Sequence, residues 1–300
     1  MPMRQSFHHI LSDFIDNQLL PADLLPMMQR FHLPLAEHLK GLREGRVEAV
    51  LLGINGAQGS GKSTLAAALA AICKQAYGWR VAILSMDDLY LSRVRRQALA
   101  RDVHPLLATR GVPGTHDVPL GLRTLASLRL AAAGNQVLLP RFDKVQDEPV
   151  PQEGWESASG PFDLIIFEGW CLGAMPQQDS ELIEPCNDLE RIEDAEGVWR
   201  RFVNRQLAEV YAPLFSSLDY RVFLQVPGFE SVLRWRREQE DKLRSSSGAL
   251  CMGQEELTRF ICYFERLTRH QLACMPALSD AVFVLNPAHG IDVAVYRDAG

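Results

Sequence analysis

Two kinds of hydrophobic spacing divide the chain. Phe7, Ile10, Leu11, Phe14 and Ile15 recur at helical intervals, and "LPMMQRFHLPLAEHLKGL" extends the helical reading to about Arg46, punctuated by Pro21, Pro26 and Pro34. "VEAVLLGIN" then breaks the period with a continuous apolar run, the pattern of a strand buried on both faces of a parallel sheet. A glycine-rich stretch follows, and after it a helix from near Gly61 with Leu65, Leu69 and Ile72 on one stripe. "WRVAILSM", "FDLIIFE", "DYRVFLQV" and "DAVFVLN" predict further buried strands, the last of them the final one, and "QVLLP" a short strand. Between them "LGLRTLASLRLAAAG", "GVWRRFVNRQLAEVYAPLFSSL" (at least up to Pro213), the charged "FESVLRWRREQEDKLR" and the amphipathic "QEELTRFICYFERLTRHQLA" predict helices. Phe142 to Gly160 and Gly173 to Gly197 read as long loops, of the kind that carry function in compact α/β proteins. The alternation predicts an α/β fold with a doubly wound, mostly parallel sheet flanked by helices.

Composition changes this picture little. The 300 residues carry a net charge of −6, with 47% hydrophobic and 23% charged residues, as in an ordinary soluble globular protein. The acidic balance argues against nucleic acid as a partner. The six cysteines are scattered without a C-x-x-C pair and no H-E-x-x-H occurs, which argues against a zinc site or a disulfide framework. No apolar run is long enough to span a bilayer, and the first residues lack the layout of a signal peptide. A cytoplasmic or organelle-matrix enzyme acting on a small molecule is expected, with no membrane partner; the oligomeric state is not legible.

The chemistry begins at "GAQGSGKST". Gly56, Gly61, Lys62 and Ser63 fit G-x-x-x-x-G-K-[ST] between a buried strand and a helix. Glycines let the backbone of Gly56, Ala57, Gln58, Gly59, Ser60, Gly61, Lys62, Ser63 and Thr64 wrap a phosphate chain, N–H groups inward, at the positive end of a helix. Lys62 can reach the β- and γ-phosphates, and Ser63 can ligate Mg²⁺, so a nucleoside triphosphate and Mg²⁺ are the expected cofactors. The fold expected is therefore of the P-loop NTPase type.

Carboxylates and cations gather near the same sheet edge. Glu168 ends the strand "LIIFE", where an acid can hold Mg²⁺ or its water, or simply cap the next element. Asp87 and Asp88 end the strand before "LYL"; one can accept the proton of an attacking hydroxyl while the other caps a helix. The turn cluster "ATRGVPGTHD" gathers Arg110, Thr115, His116 and Asp117, either as donors to an anionic or hydroxylated substrate or as a structural turn capped by Asp117. "PRFDKV" supplies Arg141 and Lys144 for a carboxylate or phosphate, with solvated charge as the plainer reading. "LRWRREQEDKLR" carries Arg234, Arg236, Arg237 and Arg244, read either as lid arginines closing on a phosphoryl group or as a solvated helix, the plainer reading being preferred for Arg244.

These motifs, in this order, resemble a set of P-loop kinases that includes uridine kinase, phosphoribulokinase and bacterial pantothenate kinase. Within it, "GAQGSGKST", "SMDDLYL", "RGVPGTHD", "RFDK", "FEGWCLG" and "WRREQEDKLR" are most similar to the plant-type D-glycerate 3-kinase family and its kinase-like relatives. The resemblance implies ATP-dependent phosphorylation of a hydroxyl on D-glycerate or a similar hydroxy acid. It puts Asp87 at the general-base position, with Tyr90 on the family's tyrosine and Leu89 where an aromatic is usual. It implies Lys62, Arg234 and Arg237 as charge-offsetting groups, and Arg110, His116 and Lys144 as holders of the acceptor's carboxylate. After "RFDK" the chain reads "VQDEPVPQEGW", without the arginine-bearing loop of its relatives. Two regions are expected: an N-terminal helical extension over 1–48 packed on the core, and a kinase domain over 49–300 with a lid helix at about 228–246.

Two rival readings stand beside this one. The same scaffold could take a nucleoside, pantothenate or another sugar acid. A nucleotide switch for a protein partner is the other, although the sequence contains neither N-K-x-D nor Leu-Ser-Gly-Gly.

Overall fold

The computed structural model describes residues 6–247 and 253–297; the side chains of residues 240 and 242–247 are not among those described, so Arg244 and Cys251 lie outside. Ten strands are described: β1 (Val50–Gly56), β2 (Val81–Ser85), β3 (Gln136–Leu139), β4 (Phe142–Asp143), β5 (Glu148–Pro149), β6 (Glu156–Ser159), β7 (Leu164–Gly169), β8 (Tyr220–Gln225), β9 (Ala281–Leu285) and β10 (Ile291–Tyr296). The helices are α1 (Phe7–Asn17), α2 (Leu25–Arg43), α3 (Lys62–Tyr77), α4 (Arg93–Asp102), α5 (Val118–Leu130), α6 (Asp188–Glu193), α7 (Val198–Gln206), α8 (Ala212–Ser216), α9 (Phe229–Ser247) and α10 (Gln254–Leu278).

The central sheet runs β10-β9-β8-β1-β7-β2. Its neighbours from β2 to β9 are parallel, and β10 closes the edge antiparallel to β9. β1 is buried along its whole length because helices cover both faces of the sheet. Val50, Leu52 and Ile54 point into one core with α1, α2 and α3, whereas Leu51 points into the other with α5, α8 and the middle of α10.

The N-terminal helices belong to the first of these cores. Ile10, Leu11, Leu35 and Leu39 are fully buried there, packed with the apolar face of α3. Ser6 caps α1 by accepting from the His9 amide at 3.3 Å. Pro34 sits inside α2 without ending it.

Four features depart from the pattern reading, and a fifth extends it. "DAVFVLN" is not the final strand: β10 follows it, its side chains half-buried or exposed, a pattern too weak to mark a strand by apolar run alone. "QVLLP" forms β3 outside the central sheet, paired antiparallel with β6. The supposed loop from Phe142 to Gly160 therefore holds β4, β5 and β6. The acidic stretch from Gly173 to Gly197 contains α6, capped by the Asn187 side chain at 3.0 Å from the Glu190 amide. The helix around Pro213 continues past the proline, because the wider π-helical turn Leu207–Tyr211 precedes it and accommodates the missing N–H. Among the described residues, no helix is long and apolar enough to cross a membrane.

Candidate active site

Parallel strands bring their C-terminal ends to one edge. Glu168 of β7 is in register with Ile54 of β1 and Ser85 of β2, so the glycine loop, Glu168 and the segment after β2 converge. Gly59 (φ +78°) and Gly61 (φ +88°) take the left-handed conformation that lets the loop turn back on itself into α3. Lys62 Nζ donates to the Ala57 carbonyl at 3.2 Å, and the Ser63 hydroxyl donates to Glu168 Oε1 at 3.0 Å.

Asp87 and Asp88 lie on a 3₁₀ turn, Met86–Leu89, capped by the Ser85 hydroxyl, which accepts from the Asp87 amide at 3.2 Å. They face different ways. Asp88 accepts from Arg141 at 3.1 Å and from the Phe142 amide at 3.2 Å, which anchors β4. Burial pushes its carboxyl up; Arg141 and the Phe142 amide oppose this, and the result is above the ordinary value. Asp87 instead accepts from the Tyr90 hydroxyl at 2.7 Å and from Lys144 Nζ at 2.6 Å. Burial pushes it up too, but the charge and hydrogen bond of Lys144, the Tyr90 hydroxyl and Lys62 prevail and hold it below the ordinary carboxylate value. Tyr90, buried and beside that carboxylate, is held well above the ordinary phenol value and stays a donor.

A cavity of about 330 Å³ joins these groups. Its walls include Gln58, Gly59, Lys62 and Ser63 of the loop, Glu168, Asp87 and Tyr90, the cations Arg110, Lys144 and Arg236, and the aromatic rings of Trp170, Phe260 and Phe264. Arg110 is ion-paired with Asp147 and lies over the Phe142 ring, 5.6 Å from its centre. Asp147 is fixed in turn by the buried Arg96, whose Nη2 donates to its carboxylate at 2.6 Å and to its carbonyl at 3.1 Å. Trp170 donates to the Gly111 carbonyl at 2.8 Å and meets Phe264 edge-on at 4.9 Å. Gly111 (φ +134°) allows that approach: a Cβ there would fall 2.7 Å from the Phe264 ring.

Several expected acceptor contacts are placed elsewhere. Thr115 is fully buried and turned inward, donating to the Val112 carbonyl at 2.7 Å. Asp117 caps α5 at the Leu120 amide, 3.0 Å away, and pairs with Arg95. Arg141 is taken up by Asp88 and Glu156. His116 is buried, stacked on Tyr90 at 4.7 Å and paired with the Tyr211 hydroxyl at 2.7 Å. Burial lowers its pKa to about 4, so it is neutral and has no charge to offer a carboxylate. The turn cluster instead backs the Asp87 segment, with Leu91 N donating to Thr115 O at 2.9 Å and Asp117 N to Leu89 O at 2.6 Å. On α9, Arg234 turns away to the Pro287 carbonyl at 2.7 Å; among the described side chains of the helix, Arg236 is the cation that lines the cavity. Arg236 is one of the four arginines named in the sequence, but Trp170, Phe260 and Phe264, which also line the cavity, were not expected there. The i, i+4 spacing of Phe260 and Phe264 in an amphipathic helix signals only an apolar face.

The chain is similar in sequence to known kinases. The chain is 34% identical over 232 residues to the uncharacterized kinase mug58 of Schizosaccharomyces pombe, covering 74% of this chain and 79% of that one. It is 30% identical over 236 residues to the chloroplastic D-glycerate 3-kinase of Arabidopsis thaliana, covering 76% of this chain but only 49% of that longer protein. The chain belongs to this family of P-loop kinases. No protein-family model matches it. In structure, the D-glycerate 3-kinase from Cryptococcus neoformans var. grubii superposes with a TM-score of 0.74 at 24% identity, over 90% of this chain and 99% of that one, which establishes the shared fold. As a P-loop kinase, the chain is a nucleotide-binding phosphotransferase.

Proposed function

We propose that the chain transfers the γ-phosphoryl group of ATP to a hydroxyl of D-glycerate or a closely similar small hydroxy acid, in a reducing compartment such as the cytoplasm. The observation that carries this reading is the shared cavity, in which a depressed carboxylate, Asp87, faces the phosphate loop with Lys144 and Arg110 close by. A volume of about 330 Å³ suits a small acceptor, and two cations are the chemistry that holds a carboxylate.

In this reading the loop amides and Lys62 orient the phosphates. Asp87 receives the hydroxyl proton as the acceptor oxygen attacks, and Tyr90 keeps the carboxylate aimed. Lys62 and Arg236 offset charge on the equatorial oxygens, Arg236 taking the part expected of Arg234 and Arg237. Lys144 and Arg110 bind the acceptor's carboxylate. The Ser63 hydroxyl and the Glu168 carboxylate are hard oxygen donors 3.0 Å apart, a set that fits Mg²⁺ completed by phosphate and water; Mg²⁺ there would neutralise phosphate charge. The aromatic wall of Trp170, Phe260 and Phe264 limits acceptor size.

The test follows ADP release with ATP, Mg²⁺ and a panel of D-glycerate, L-glycerate, other hydroxy acids, nucleosides and pantothenate. Release dependent on D-glycerate is expected. Release dependent on a nucleoside or pantothenate, or equal release with no acceptor, would overturn the assignment.

A further inference from the structure

A second cavity, about 690 Å³, opens on the other side of the glycine loop. Both cavities are lined by Gly59, Lys62 and Ser63, and by Gln239 of α9, so they meet at the phosphate cradle. Asp87 lines only the smaller one. A phosphate chain lying on the loop with its γ end toward Asp87 has its other end directed into the larger cavity, past Thr64 and Leu65.

Part of its wall comes from the turn after α1 and the start of α2. Leu20, Leu24 and Met27 line it, opposite Leu285 and Ile291 of the β9–β10 hairpin. These three side chains are only half-buried, although Met28 and Leu35 of α2 are fully enclosed. Apolar groups left partly open beside a phosphate site are what a flat heteroaromatic ring covers. At the rim, His289 stacks on Trp235 at 4.3 Å and lies 3.3 Å from the Gly59 carbonyl and 3.1 Å from Glu238.

We propose that the N-terminal extension forms the outer wall of the nucleoside subsite, with Leu24 and Met27 packing on the purine ring of the donor. The proposal rests on the ATP reading and deepens it. It gives α2 and the turn that leads into it a part in substrate binding besides the part of α2 in the core. The wall has apolar shape and an adaptable thioether, so it holds the ring by contact area rather than by reading its polar edge.

Binding measured without acceptor separates this proposal from the phosphoryl-transfer reading. Calorimetric titrations of the full chain with Mg·ATP and with Mg·tripolyphosphate compare the whole donor with its phosphate chain alone. For the Leu24→Ala, Met27→Ala double variant, ATP affinity should fall on the order of tenfold while tripolyphosphate affinity is unchanged. Met27→Leu, which keeps the apolar bulk, should bind ATP as the wild type does. Unchanged ATP affinity in the double variant would overturn the wall, as would an equal loss of both ligands, which would mark the helices as mere support for the loop. A wild-type chain that binds neither ligand would remove the nucleotide reading and this proposal with it.

Discussion

Lys144 Nζ lies 2.6 Å from Asp87 Oδ2, joining two segments 57 positions apart in the chain. The contact helps hold the carboxylate ionised: burial pushes the group up, but the charge and hydrogen bond of Lys144, the Tyr90 hydroxyl and Lys62 together bring it below the ordinary value. A base must be deprotonated to act, so activity falls as pH drops through its pKa. Lys144→Met removes the leading downward influence. The acid limb of kcat/KM against pH should therefore move to higher pH, and the acceptor KM should rise as its carboxylate loses a partner. An acid limb at the wild-type position would show that Lys144 does not tune the base.

The two adjacent aspartates separate cleanly by variant. Asp87→Asn should retain nucleotide binding and lose roughly 10²- to 10⁴-fold in kcat. Asp88→Asn weakens the anchor to Arg141 and Phe142, so it should cost about 1–3 kcal/mol of stability and far less of kcat. Steady-state kinetics with denaturant unfolding of both proteins checks the pair; the reverse pattern would exchange their roles.

Arg236 and Arg234 are two positions apart on α9 and face differently. Arg236→Ala should lower kcat on the order of 10³-fold if it meets the transferred phosphoryl group as a lid arginine does. Arg234→Ala gives up a contact to the Pro287 carbonyl and a loose pair with Glu238, and should leave kcat within a few-fold. Equal kcat losses in the two variants would mean that the helix face has been misplaced.

How much of this was legible follows the physics of each signal. The glycine loop, Glu168 and the Asp87 segment sit at ends of apolar strands, and strand ends in a parallel sheet share an edge, so sequence order alone gathers them. The polar turn Arg110 to Asp117 carried no such constraint. Its Thr115 and Asp117 satisfy backbone groups, its His116 pairs with the Tyr211 hydroxyl, and the turn backs the Asp87 segment, a use with the same composition as a binding loop. The phase of α9 was ambiguous because arginines at 234, 236 and 237 surround Trp235, and burial of that tryptophan decides which arginine faces the cavity. The contacts of α1 and α2 depend on pairings distant in sequence, which periodicity does not encode.

Stability should depend on pH through two buried histidines. His32 and His116 are each lowered by burial from 6.5 to about 4. Between those values the unfolded chain binds the protons that the folded chain refuses. Stability is therefore full above pH 6.5 and falls as pH drops toward 4, by about 1.4 kcal/mol per pH unit for each histidine. Urea unfolding at pH 7.5 and pH 5.0 should show the lower midpoint at pH 5.0, and His32→Leu should remove part of the difference. Equal midpoints in the wild type would refute the assignment of neutral buried rings.

One stretch of α9 touches both halves of the site: Trp235 and Glu238 border the larger cavity, Arg236 the smaller, and Gln239 both. A displacement of that stretch changes both walls together. Donor and acceptor are then linked thermodynamically. Whatever factor the nucleotide imposes on acceptor affinity by moving the helix, the acceptor must impose on nucleotide affinity in return.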